Sequence, residues 1–120
     1  MPGVLVLGHG AVGRAIAARL AERTVPFAVA DPARAGIDGP VRVLAEPPSD
    51  LSDVALVLAA VPAAAAVEVA RRLAALPGAF VHVDLSSSPP AAMAEAARAF
   101  DGPSAARSWG RSTCTGPTLR

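Results

Sequence analysis

Four apolar residues in a row, Val4-Leu5-Val6-Leu7, run straight into Gly8-His9-Gly10-Ala11-Val12-Gly13. An apolar run without alternation marks a strand buried on both faces, as in a parallel sheet. Behind the glycines, Ala11 to Arg23 reads as a helix. Val12, Ile16 and Leu20 recur at four-residue spacing, with Arg14, Arg19 and Glu22 turned away from that face. A strand that turns through G-x-G-x-x-G into a helix, with an acid roughly 20 residues further on, here Asp31, is a dinucleotide-binding pattern in its proper context. Gly8 permits the tight turn. Gly10 has no side chain, so a pyrophosphate can approach the backbone. Gly13 lets the helix sit close to the strand. The helix N-terminus at Ala11 and Val12 offers unpaired N–H groups and a partial positive charge to phosphates.

Asp31 closes a second short strand, Phe27–Ala30. Its carboxylate can accept hydrogen bonds from both ribose hydroxyls of an adenosine, and it would repel a 2′-phosphate. That favours NAD over NADP as the cofactor. Arg34 tempers the preference, because after a local shift it can pair with such a phosphate. The plainer alternative for Asp31 is a turn-initiating Asp-Pro. His9 stands at a variable position of the glycine pattern and is expected to be a solvated loop residue beside the phosphates.

Further along, Val41–Leu44 suits a third strand and Val54–Ala59 a fourth. Pro62 opens an alanine-rich helix that runs to about Leu76 and stops at Pro77-Gly78. Phe80–Asp84 is a fifth strand, in which His82 reads as a core histidine rather than a catalytic one. Ser86-Ser87-Ser88 can cap a helix from Pro89-Pro90 to Phe100, with Met93, Ala97 and Phe100 on its apolar face. Strand and helix alternate throughout. The expected fold class is α/β: a doubly wound, mainly parallel Rossmann sheet with right-handed crossovers, helices on both faces and a ligand crevice at the strand C-termini. Residues 1–103 form this domain. Residues 104–120 have no acid, three arginines (Arg107, Arg111 and Arg120) and no apolar period. An irregular or disordered basic tail is expected there. An out-of-frame ending is one reading of it and a natural basic tail the other.

Composition narrows the chemistry. There is no Lys, Asn, Gln or Tyr, and all 11 basic residues are arginine. A mechanism that needs a lysine or tyrosine on this chain is excluded. The net charge of +1 gives no electrostatic case for nucleic acid or an anionic membrane as partner. Cys114 is alone, so no internal disulfide or cysteine-based metal cluster arises. With no basic n-region at the N-terminus, no signal peptide is expected and a cytoplasmic location fits. The longest apolar stretch, Val54 to Val67, is broken by Pro62 and short of the roughly 20 residues of a membrane span.

The second half of the chain adds a family resemblance. Asp53-Val54-Ala55-Leu56-Val57-Leu58-Ala59-Ala60-Val61-Pro62 resembles the "aDlVilavP" strand and loop of a group of dehydrogenases. The group includes prephenate and arogenate dehydrogenases, 3-hydroxyisobutyrate dehydrogenase and 6-phosphogluconate dehydrogenase. Val83-Asp84-Leu85-Ser86-Ser87 looks like their "vDlaS" or "vDmST" motif. The resemblance implies that Ala60, Val61 and Pro62 lie against the cofactor. Ser87 is then the one position with a catalytic role, placing substrate near the nicotinamide; capping the next helix is its alternative. The ungapped spacing from Val61-Pro62 to Val83-Asp84 looks most like the prephenate type. Ser87-Ser88-Pro89 is closer to the "STxSP" of the hydroxyacid type.

The resemblance also implies what is missing. The prephenate family's Gly-His-Pro does not follow Phe100, and the hydroxyacid families' lysine on a later helical domain has no counterpart. Expected function is therefore the NAD-binding domain of an oxidoreductase, nearest prephenate dehydrogenase and apparently truncated. It would be inactive alone, taking a small-molecule substrate only with a C-terminal domain supplied. The alternatives are the corresponding domain of a 3-hydroxyisobutyrate or 6-phosphogluconate type enzyme, a non-catalytic NAD-sensing module, and a non-functional fragment.

Overall fold

The strand that precedes the glycines, β1 (Val4–Leu7), lies at the centre of the sheet in the computed structural model. The structure describes residues 3–86 and 89–100, and the backbone of 108–111. After β1 come α1 (Ala11–Glu22), β2 (Phe27–Ala30), β3 (Gly36–Asp38), β4 (Val41–Leu44) and β5 (Leu56–Ala59). A single 3-10 turn, Ala63–Ala65, leads into α2 (Ala66–Ala74), followed by β6 (Val81–Asp84), α3 (Pro90–Arg98) and β7 (Ser108–Arg111). The seven strands form one sheet in the order β3-β4-β2-β1-β5-β6-β7. All neighbours are parallel except β3, which runs antiparallel to β4. The chain thus lays β2 and β4 to one side of β1, then returns to lay β5 and β6 on the other. The strand order reverses next to β1, and in open α/β sheets that is where a crevice forms.

Side chains alternate across a strand, so β1 serves two cores. Leu5 and Leu7 join Val57, Ala59, Leu73, Ala96 and Phe100, the cluster shared with α2 and α3. Val6 joins Val29, Val41, Val43 and Ala17, with Ile16 and Leu20 of α1 packed against them. Phe80 and Phe100 meet edge to face, ring centroids 6.2 Å apart, which fastens α3 to the sheet. The expected α/β sheet with helices on both faces is the observed fold.

Several local expectations change. The buried stripe of α1 is Gly13 and Ala17, with Ile16 and Leu20 beside it, whereas Val12 is 48% exposed. Small residues let the helix lie too close to the sheet for a larger stripe. On α3 the buried residues are Met93 and Ala96, with Ala97 only half-buried. Its N-cap is Pro89, without a side-chain bond, rather than a serine. Proline suits a first turn, where the missing N–H has no intrahelical acceptor. Ser86 N–H instead donates to Asp84 Oδ1 at 2.7 Å, and Ser87 and Ser88 lie outside the described residues. The hairpin strand β3 was not expected from the sequence; it turns into β4 through Gly39, at φ +60°. In the tail expected to be irregular, Ser108–Arg111 forms a strand parallel to β6; the rest of 104–120 lies outside the described residues.

Candidate nucleotide-binding site

Two glycines of the loop after β1 are set by backbone crowding. Gly8 has φ +95°, and a Cβ there would stand 2.2 Å from the carbonyl oxygen of Ala60. A Cβ on Gly13 would stand 1.9 Å from the carbonyl oxygen of Gly8. Neither separation is sterically possible, so the first turn of α1 rests directly on the loop and the loop on the end of β5. Gly10 differs: a Cβ there meets nothing within 4 Å. Its missing side chain leaves room, not contact.

The loop's N–H groups divide the same way. Gly8 N–H donates to Ala30 carbonyl at 2.9 Å, and His9 N–H to Asp31 Oδ2 at 2.8 Å. The first bond of α1 runs from Arg14 N–H to Gly10 carbonyl at 2.9 Å. The N–H groups of Ala11, Val12 and Gly13 precede any intrahelical acceptor. Gly10, the N-cap, supplies no side chain to satisfy them, and the first turn holds no acid. This end of α1 is an uncapped positive pole.

It opens on a cavity of about 630 Å³ at the C-terminal ends of β1, β2, β4 and β5. Gly8, Gly10, Ala11, Val12, Asp31, Arg34, Ala60, Val61 and Pro62 all line it. His9 and Gly13 do not; they hold the loop from behind. Asp31 is fixed by two backbone donors, His9 N–H on Oδ2 and Ala33 N–H on Oδ1 at 2.9 Å. Each carboxylate oxygen keeps a second acceptor site. Asp31 therefore fills the turn role and keeps free capacity toward the cavity. Arg34 Nε stands 3.9 Å from Asp31 Oδ2.

The histidine expected to be solvated is buried. The His9 side chain is 4% exposed, and its Nε2 lies 2.7 Å from Asp38 Oδ2. Arg14 Nε approaches the same oxygen at 3.2 Å. The hydrogen bond from His9 and the Arg14 charge hold the Asp38 carboxyl below the usual carboxylate range. His82 is the expected core histidine, 1% exposed and edge-on to Phe100 at 5.1 Å between ring centroids. Burial pushes its pKa down to about 4, against an opposing effect of Asp84.

The sequence reading missed part of the wall. Glu46 and Pro47 after β4, and Val69 and Arg72 of α2, line the cavity, with Arg72 Nη2 3.4 Å from Glu46 Oε1 across its mouth. Glu46 and Pro47 follow an expected strand end, which was their only signal, whereas Val69 and Arg72 lie within the expected helix, where no local pattern marks them. Ser87, the expected catalytic position, lies outside the described residues. No helix among the described residues is long and apolar enough to cross a membrane, and no group of His, Cys, Asp or Glu among them could hold a metal ion.

Fold and cleft together define a Rossmann-type α/β domain. No protein-family model and no curated protein matches the sequence. Among solved structures the chain is similar to the conserved protein MTH1747, a protein of unknown function described as structurally similar to 3-hydroxyacid dehydrogenases. The TM-score is 0.64 at 22% identity, over 90% of this chain and 41% of that one. The chain thus spans less than half the length of that neighbour, and the shared feature is the fold.

Proposed function

We propose that this chain is the nicotinamide-dinucleotide-binding domain of a dehydrogenase of the hydroxyacid group, with NAD preferred over NADP. The observation that carries the reading is the cleft itself. An uncapped helix terminus, the open space at Gly10 and the doubly anchored Asp31 all face one cavity at the strand C-termini. The amides of Ala11 and Val12 would take the pyrophosphate, and Asp31 the adenosine ribose. Val61 and Pro62, with Ser87, would flank the nicotinamide. A nicotinamide held there would supply hydride-transfer chemistry toward a substrate carbinol carbon. The described ionisable groups on the cleft wall are Asp31, Arg34, Glu46 and Arg72, all engaged with one another or with the ribose end. The group that takes the substrate's hydroxyl proton belongs, on this reading, outside the described residues.

The hydroxyacid group takes precedence because the similar structure is described in those terms. The prephenate-type resemblance rests on sequence spacing alone. Calorimetric titration of the chain with NADH and NADPH, beside Asp31→Ala, tests the proposal. NADH should bind more tightly, and the variant should lose that preference, with NADH weakened by about 10-fold. A folded chain that binds neither nucleotide overturns it.

A further inference from the structure

The β3–β4 hairpin lies behind the glycine loop, outside the cleft, yet it holds the loop through one side chain. His9 Nε2 faces a carboxylate oxygen of Asp38 at 2.7 Å, so Nε2 carries the proton and donates it. The imidazole is 4% exposed and packed between the loop and the hairpin. The amide of the same residue donates to Asp31 Oδ2 at 2.8 Å. One residue therefore joins two carboxylates, one just after β2 and one in β3, through its backbone on one side and its ring on the other. The second donor to Asp31, Ala33 N–H, comes from Asp31's own turn. Among the described hydrogen bonds, His9 alone ties the Asp31 carboxylate to another part of the chain.

We infer that Asp38 and His9 are positioning residues for Asp31: the hairpin sets the orientation of the carboxylate that reads the ribose. This rests on the nucleotide-binding reading above and deepens it. Without the Asp38 carboxylate, a buried imidazole N–H loses its acceptor. The ring must then turn or draw in water, because an unmet buried donor is costly. Residue 9 moves with its ring, and the bond to Asp31 Oδ2 lengthens or bends. A ribose that uses both carboxylate oxygens feels that change, though Asp38 never touches it. The other charged groups about the junction are Arg14 on Asp38 and Arg34 beside Asp31. Neither reaches both carboxylates.

Asp38 is itself 46% exposed, so its replacement leaves the core intact. The test is a double-mutant cycle read by NADH titration. Asp38→Ala should weaken NADH binding by about 3- to 10-fold, roughly one hydrogen bond's worth. Asp38→Asn keeps an acceptor oxygen for His9 and should stay within about 2-fold of wild type. In an Asp31→Ala background, Asp38→Ala should have no further effect, because the residue it acts through is gone. Unchanged affinity in Asp38→Ala, or the same loss in both backgrounds, overturns the inference while leaving the nucleotide site standing. Absence of NADH binding by the wild-type chain instead overturns the function. The junction is then read without ligand, by amide hydrogen exchange at His9. Exchange there should quicken in Asp38→Ala and not in Asp38→Asn, with the β1 amide of Val6 unchanged; equal protection in all three chains refutes the coupling.

Discussion

The two faces of the sheet are built on different terms. On the α1 face the buried residues are small, Ala17 and Gly13 from the helix against Val6, Val29, Val41 and Val43 from the strands. The α2–α3 face is filled by Leu5, Leu51, Leu73, Phe80 and Phe100, and it also takes in the His82 ring against Phe100. The first face is held by close backbone approach, the second by apolar volume. This matters because the cleft takes its main polar features from the first. A helix seated on the loop by Gly13 has its terminus fixed to within the tolerance of a backbone contact. Bulk packing tolerates repacking, provided volume is kept. Placement of the proposed phosphate site belongs with the stricter of the two.

The sharpest way to break this contrast is to add one carbon on the α1 face. In an ordinary helix interior, Gly→Ala is favourable by about 1 kcal/mol. At Gly13 the new Cβ would stand 1.9 Å from the Gly8 carbonyl oxygen, so helix and loop must separate. Gly13→Ala should cost about 4 kcal/mol or more in urea unfolding, well past the helix gain, in the range reserved for identifiable steric faults. Gly10→Ala is its matched partner, since the added carbon enters open space. It should change stability by less than about 1 kcal/mol and still weaken NADH binding at least ~10-fold, by filling the phosphate approach. If both variants lose stability equally, close approach is a property of the whole loop and Gly10 has no separate role.

The α2–α3 face has its own weakness, which is acid. His82 is buried with its pKa pushed down to about 4, chiefly by desolvation. Unfolded, the same ring titrates near its ordinary value of about 6.5. Above that value it is neutral in both states and has no effect on stability. As pH falls below about 6.5 the unfolded chain binds the proton first, so stability declines until about pH 4 and then levels. The whole decline attributable to His82 is about 3 kcal/mol. Urea midpoints at pH 7 and pH 4.5 should therefore diverge for wild type and much less for His82→Leu. Carboxylates shift both proteins alike. A wild type and variant with the same pH dependence would remove His82 as the cause.

The sequence made the two faces unequally legible. Continuous apolar runs such as Val4–Leu7 and Leu56–Ala59 announce a buried parallel strand because both faces need apolar side chains. The glycine pattern is readable because Gly8 and Gly13 each answer a local steric need, while Gly10 leaves space open. The burial of α1 was misread at Val12, because apolar spacing weighs side-chain size and here the packing selects its absence. The hairpin strand β3 offers only one large apolar residue, Ile37, and that is 76% exposed. Gly39-Pro40, between the paired Asp38 and Val41, was the available cue, since a glycine at the first position of a two-residue loop favours a tight hairpin turn. The His9–Asp38 contact joins residues 29 apart in sequence, and no local pattern encodes it. Side-chain partners across the fold are set by the strand order, which must be known first.

The two halves of the sheet meet at the cleft mouth, where Glu46 after β4 faces Arg72 of α2. Their side chains are 76% and 58% exposed, so the pair adds little to stability. Its effect falls on ligand choice. Asp31 and Glu46 balance Arg34 and Arg72 on the cleft wall. Glu46→Gln removes one acid, releases Arg72 and leaves an excess of positive charge near the proposed adenosine end. A 2′-phosphate gains from that change, and a free ribose does not. The affinity ratio of NADPH to NADH should move toward NADPH by about 2- to 3-fold at low salt, with unfolding unchanged within about 0.5 kcal/mol. At 1 M salt the shift should vanish, because screening there acts over about 3 Å. Adding Arg72→Ala should restore the original ratio. A ratio that ignores Glu46 at low salt would place this pair away from the ribose, and the discrimination between cofactors would then rest on Asp31 and Arg34 alone.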